Sequence, residues 1–188
     1  MVLKESDSQL ERGDTAPAFE LHGVDDETYT LGSFVDNDAL LVVFTCNHCP
    51  YAKAKFDFLN ELADEFDNAA VVGINPNANP EYPDDDFESM GELVDDGTID
   101  YDAYLYDDSQ DVARAYGAVC TPDPFLFARE DDEWTLAYHG RLDDALDPES
   151  EPTEFYARDA IESVLAGEPV AHDDLPSRGC SIKWVENE

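Results

Sequence analysis

The sequence predicts an α/β fold: a central mixed β-sheet flanked by helices and begun by an N-terminal β-hairpin. Three observations carry this. Ala39-Leu40-Leu41-Val42-Val43-Phe44 is an unbroken apolar run of strand length. A proline-headed amphipathic stretch, Pro50 to Phe66, follows it almost at once. Strand-like and helix-like segments then alternate and close with a strand pair and a last helix.

The hairpin is Ala18 to His22 and Thr28 to Leu31, joined by the acidic turn Val24-Asp25-Asp26-Glu27. The Ala39–Phe44 run has no polar alternation, so it suits a central strand buried on both faces. Pro50 suits the first helical position, where its missing N–H leaves no bond unmade. Phe56, Leu59, Ala63 and Phe66 recur on one face of that helix. Ala70 to Asn75 is a strand, Asn75 to Pro83 a loop, and Asp84 to Val94 a capped helix. Ala103 to Tyr106 is a strand, and Gln110 to Tyr116 a short helix capped by Ser109. Phe125–Ala128 and Trp134–Tyr138 pair around an acidic turn. Pro152 to Ala166 is the last helix, ended by Gly167, and an irregular tail follows from Pro169. There is no internal repeat. The expected organisation is a polar N-terminal extension, 1–14, one domain, 15–168, and a tail, 169–188, docked on it through Ile182 and Trp184.

Composition narrows the function. The chain has 188 residues, enough for one domain with a real core, and its 43% hydrophobic content argues against disorder. Asp and Glu number 46 against 10 Lys and Arg, a net charge of −36. Self-repulsion at that density opposes a compact state in dilute salt, and at molar salt a Debye length of about 3 Å screens it. The acids are spread along the whole chain, as in Asp84-Asp85-Asp86 and Asp131-Asp132-Glu133, so they describe a surface and not a tail. The expectation is a salt-rich cytosol. Nucleic acid and anionic membranes are excluded as partners by repulsion. No apolar run approaches the roughly 20 residues that span a bilayer. Residues 1–14 lack a signal-peptide core, so the expected location is cytoplasmic.

Four cysteines, at 46, 49, 120 and 180, point in a reducing compartment to redox catalysis or metal binding. If Pro50 opens the helix, Cys49 is its N-cap. A thiolate there faces unpaired N–H groups and the positive end of the helix dipole. Such placement lowers a cysteine pKa from about 8.5 towards roughly 3.5–7.5. His48 and Lys53 add positive charge. Cys49 is therefore the expected nucleophile. The opposite assignment, with Cys46 attacking, puts Pro50 deeper in the helix and ranks second. Cys120 precedes Thr121-Pro122, a place for a cis peptide bond. Cys180, on the docked tail, is either a resolving thiol or a packed one. Histidines 22, 139 and 172 are expected at the surface.

These residues resemble the thioredoxin-like redoxins, specifically the peroxiredoxin-like group of alkyl hydroperoxide reductase and thiol-specific antioxidant proteins, in a haloarchaeal form. Gly13-Asp14-Thr15-Ala16-Pro17-Ala18-Phe19-Glu20-Leu21 looks like the first redoxin strand. Phe44-Thr45-Cys46-Asn47-His48-Cys49-Pro50-Tyr51-Ala52-Lys53 lies without gaps on thioredoxin's F-W-A-x-W-C-G-P-C-K. The resemblance puts Cys49 on the attacking cysteine and Ala52 on the second one. It makes Pro122 the cis-proline that flanks the nucleophile and helps bind substrate backbone. Two departures stand out. With Ala52 in place, any resolving thiol is Cys46, Cys120, Cys180 or another molecule's. The peroxiredoxin pattern P-x-x-x-[TS]-x-x-C is met here by Val42, Cys46 and Cys49, and its activating arginine is missing near Pro122.

Three functions follow. The first is a thiol–disulfide oxidoreductase: Cys49 attacks a disulfide, Cys46 or Cys120 displaces the product, and Thr121, Pro122 and His48 hold the substrate. The second is a thiol peroxidase, with Cys49 oxidised by a hydroperoxide and resolved by Cys120 or Cys180. The third is a zinc-binding or structural module built on the four cysteines. The enzymatic readings need a protein or small-molecule disulfide or hydroperoxide, a thiol reductant, and no cofactor or metal.

Overall fold

The computed structural model describes residues 2–185. Residues 186–188, the end of the predicted tail, lie outside the described residues. A seven-stranded sheet runs in the order β3-β2-β6-β5-β4-β8-β9. Its strands are β2 (Glu20–Gly23), β3 (Thr28–Thr30), β4 (Ala39–Phe44), β5 (Ala69–Asn75), β6 (Ala103–Tyr106), β8 (Asp123–Glu130) and β9 (Glu133–His139). The β4–β5 and β5–β6 pairs are parallel, and β4–β8, β8–β9 and the N-terminal hairpin β2–β3 are antiparallel. This is the mixed α/β architecture expected, with a thioredoxin-like sheet at its centre.

The apolar run of β4 explains why the sheet forms around it. All six residues are buried. Leu40, Val42 and Phe44 join one core with Val72, Tyr116 and Phe127, and Leu41 and Val43 join another with Leu59, Leu62 and Ile161. Period-two alternation thus feeds two cores from one continuous apolar segment.

Four expectations are corrected. The Pro50–Phe66 helix is two helices, α1 (Pro50–Lys53) and α2 (Phe56–Glu65). At the break the Lys55 N–H turns to the Ala52 carbonyl at 3.0 Å, and the Lys55 ammonium is held by Asp143 at 2.7 Å and the Ala145 carbonyl at 3.0 Å. Helix α3 (Phe87–Asp95) begins later than expected, because Asp86 is its N-cap and accepts from the Ser89 N–H at 2.8 Å. Helix α4 (Asp111–Tyr116) is capped mainly by buried Asp107, whose Oδ2 accepts from the Ala113 N–H at 2.8 Å. Ser109 makes only a 3.3 Å contact to the Asp111 N–H. Helix α5 (Tyr156–Leu165) starts after the Pro152 segment, whose Thr153 and Glu154 N–H groups bond to Asp144 instead.

The termini hold the largest surprise. The tail contains a strand, β10 (Arg178–Ser181), flanked by β1 (Leu3–Glu5) and β7 (Cys120–Thr121) in a second, three-stranded sheet. Gln110 fastens the tail further, donating to the Lys183 carbonyl at 3.0 Å and accepting from the Val185 N–H at 2.9 Å. No helix among the described residues is long and apolar enough to cross a membrane.

Candidate functional site

Two registers bring the site together. Phe44, the last residue of β4, lies opposite Asp123, the first of β8. The loop leaving β4 carries Cys46 and Cys49, and the residue before Asp123 is Pro122. The cysteine loop and the proline are therefore neighbours by strand pairing alone. The Thr121–Pro122 peptide bond is cis. In the second sheet Cys180 lies opposite Thr121.

Cys49 is the N-cap of α1, with extended backbone and Pro50 at the first helical position. Its sulfur is not turned to the helix N–H groups. It is bonded to Cys180, with an S–S distance of 2.19 Å and Cα atoms 6.4 Å apart. The Cys49 sulfur also lies 3.9 Å from the Thr121 carbonyl oxygen. A groove of about 310 Å³ opens onto the pair, lined by Val2, His48, Tyr82, Ser181 and Lys183.

Cys46 and Cys120 are free thiols, both buried. The Cys46 sulfur sits 3.4 Å from Thr121 Oγ1. Burial, reinforced by the nearby Asp85 charge, pushes its pKa up to about 12. Burial, with the Asp123 charge behind it, raises Cys120 as well. Both are protonated at neutral pH and poor nucleophiles there. The structure thus joins Cys49 to Cys180 and leaves the other two thiols unbonded. They make no four-sulfur site. The one potential metal-ligating trio among the described residues is Cys46, His48 and Asp85, with donor atoms within 4.8 Å of one another.

Asp85, which the sequence did not single out, organises the loop. Fully buried, it accepts from the Asn47 N–H at 2.7 Å, the His48 N–H at 3.1 Å and Asn77 Nδ2 at 2.8 Å, and it touches His48 Nδ1. Tyr104 adds a 2.6 Å bond to Asn47 Oδ1. A buried carboxylate with this many donors fixes backbone that no ladder holds. His48, expected to contact substrate, lines the groove with its ring over Tyr82, 6.1 Å between centroids. Gly179 is the other residue missed. A side chain there would overlap the Thr121 carbonyl, so only glycine lets β10 approach β7 closely enough to present Cys180.

His139 corrects another expectation. It is not a surface residue: β8–β9 pairing sets it opposite Phe125, its ring stacks on that phenyl at 4.1 Å, and its Nε2 lies 2.6 Å from Asp123 Oδ1. Burial raises the Asp123 carboxyl, and His139 partly offsets this.

A thioredoxin-type sheet that carries a cysteine at a helix start beside a cis-proline defines a thiol-dependent redox protein. The chain belongs to the AhpC/TSA family, which matches residues 12–138. It is a thiol-dependent oxidoreductase. An uncharacterized conserved protein from Geobacillus kaustophilus is 34% identical, with a TM-score of 0.90 over 100% of this chain and 99% of that one. A hypothetical protein from Sinorhizobium meliloti 1021 is 36% identical, with a TM-score of 0.89 over 97% and 99%. A thiol:disulfide interchange protein DsbE from Chlorobium tepidum, described as putative, shares the fold at 18% identity, with a TM-score of 0.58 over 85% and 98%. No curated protein sequence matches the chain.

Proposed function

We propose that the chain is a two-cysteine thiol–disulfide oxidoreductase, with Cys49 as nucleophile and Cys180 as resolving thiol. The observation that carries this is the Cys49–Cys180 bond, formed beside the cis Thr121–Pro122 peptide. In the reduced chain the Cys49 thiolate attacks a substrate disulfide, RS–SR′. A mixed disulfide forms and R′S⁻ leaves. The Cys180 thiolate attacks the Cys49 sulfur, the Cys49–Cys180 bond closes and RS⁻ leaves. Two electrons pass from the chain to the substrate, and a thiol reductant restores the dithiol. Thr121, Pro122 and His48 border the path of the substrate. Cys46 and Cys120, the other candidate resolving thiols, have a packing role in this reading, because burial keeps both protonated.

Membership of the AhpC/TSA family favours a second reading, hydroperoxide reduction. Cys49 would take the terminal peroxide oxygen as a sulfenic acid, the alcohol would leave, and Cys180 would expel water as the disulfide closed. Reaction rates with an insulin-type disulfide and with hydroperoxides, measured on wild type, Cys49→Ser and Cys180→Ser, separate the two. Consumption of Cys49 by peroxide no faster than that of a free thiol removes the peroxidase. Turnover that survives Cys180→Ser undiminished removes the resolving role.

Residues 15–168 form the catalytic domain in this proposal, and segments 1–14 and 169–188 join through β1 and β10 to present Cys180. The proposed setting is a salt-rich cytoplasm, supported by carboxylates dispersed along the chain.

A further inference from the structure

Five of the ten Lys and Arg side chains form ion pairs with carboxylates: Arg12, Lys55, Arg114, Arg129 and Arg158. The remaining 10 − 5 = 5 are Lys4, Lys53, Arg141, Arg178 and Lys183, and among the described residues they form none. With 46 acids available, unpaired bases are the unexpected ones. Three of them, Lys4, Arg178 and Lys183, lie on or beside the strand that carries Cys180. Lys183 lines the groove over Cys49 and Cys180. Arg141 and Arg178 line a second pocket together with buried Pro122. Lys4 lies opposite Gly179, and Lys53 ends the single turn of α1 that Cys49 begins. Glu5 faces Arg178 across the β1–β10 ladder and Asp147 shares its pocket, yet neither pairs with it.

Among the described residues, no carboxylate lines the groove itself. Its lining is Val2, His48, Cys49, Tyr82, Cys180, Ser181 and Lys183. Four other surface pockets each include at least one Asp or Glu.

We infer that this face docks an acidic polypeptide segment, the carboxylate-flanked cysteine region of a partner protein. The inference rests on the proposed redox role of Cys49 and Cys180 and names the class of its substrate. Unpaired cations beside a carboxylate-free groove complement carboxylates. The groove and the pocket that Pro122 lines are two separate openings, which suit an extended chain better than a single small acid. The net charge of −36 repels such a segment at long range, and salt screens that repulsion while leaving contact pairs in place.

The test is equilibrium binding of two fluorescent peptides, Glu-Glu-Ser-Glu-Glu and Gln-Gln-Ser-Gln-Gln, to the oxidised full chain by anisotropy. At about 0.5 M salt the Debye length is roughly 4 Å. The glutamate peptide should bind at least about fivefold more tightly, as a few exposed contact pairs would give. The ratio should fall towards one in Arg178→Gln/Lys183→Gln and stay at the wild-type value in Arg158→Gln. Equal binding of the two peptides by wild-type protein overturns the inference, with no variant needing to fold. Free glutamate competing as well as the peptide overturns the assignment to a polypeptide. Serine replaces cysteine in both peptides, so this outcome is independent of turnover. Failure of the redox reading appears separately, as absent disulfide and peroxide activity.

Discussion

Cys180 pairs in the β10–β7 ladder with Thr121, the first residue of the cis Thr121–Pro122 bond, and its sulfur is bonded to Cys49. The sulfur bonded to Cys49 is thereby supplied by the C-terminal tail, 131 residues away in sequence, on a strand braced at its other edge by the N-terminal strand β1.

Reduction should weaken the fold. A cross-link over a 131-residue separation limits the unfolded ensemble by about 5 kcal/mol in the chain-entropy model, with measured values of roughly 2–5 kcal/mol. Denaturant unfolding of oxidised wild type against Cys180→Ser should show a loss in that range. Identical midpoints would mean that the bond does not form in solution.

Gly179→Ala should separate β10 from β7, because the added methyl meets the Thr121 carbonyl. The variant should keep its secondary structure and close the Cys49–Cys180 bond at least about tenfold more slowly, since a small misplacement of reacting groups is costly. Quenched-oxidation mass spectrometry reads this rate directly. Wild-type closure would show that the close approach is dispensable.

Asp85→Ala should leave the Asn47 and His48 N–H groups without their acceptor. Each orphaned donor costs roughly 1–3 kcal/mol, so a loss of about 2–6 kcal/mol is expected by chemical denaturation. The loosened loop should also expose Cys46, read as faster alkylation of that thiol. A stability change under about 0.5 kcal/mol, the size of a neutral surface substitution, would contradict the organising role.

In the reduced native chain, Cys49 and Cys180 should react with iodoacetamide at neutral pH, while Cys46 and Cys120 react only after unfolding. The raised Cys46 pKa also has a pH signature. The folded chain holds this proton more tightly than the unfolded one, so the stabilisation is complete below the ordinary value of 9.0. It is lost as pH rises from there towards about 12. Wild type should therefore lose stability more steeply than Cys46→Ala between these limits. Parallel curves would contradict the sign.

Salt should stabilise the chain. At a net charge of −36, raising KCl from about 0.1 to 1 M shortens the Debye length from about 10 to 3 Å and relieves self-repulsion. Thermal unfolding should shift upward by at least about 5 °C. An unchanged midpoint would remove the salt-rich setting.

The sequence alone determined what rests on local chemistry. The apolar run of Ala39–Phe44 could only be a strand buried on both sides, and Pro50 after Cys49 could only open a helix cheaply. A threonine–proline step marked the cis bond. What depends on distant partners was decided by the tertiary structure. Leu3–Glu5 is exposed and polar enough to read as a loose extension; it becomes a strand because Arg178–Ser181 lies beside it. Asp85 is one acid in a run of three, and only the arrival of Asn47, His48 and Asn77 around it distinguishes it from its neighbours. His139 gave no sign of burial until strand pairing stacked it on Phe125. Four cysteines could be counted, but which of them meet is a matter of distances in space, and those are fixed by ladders that join Phe44 to Asp123 and Thr121 to Cys180 across long stretches of chain.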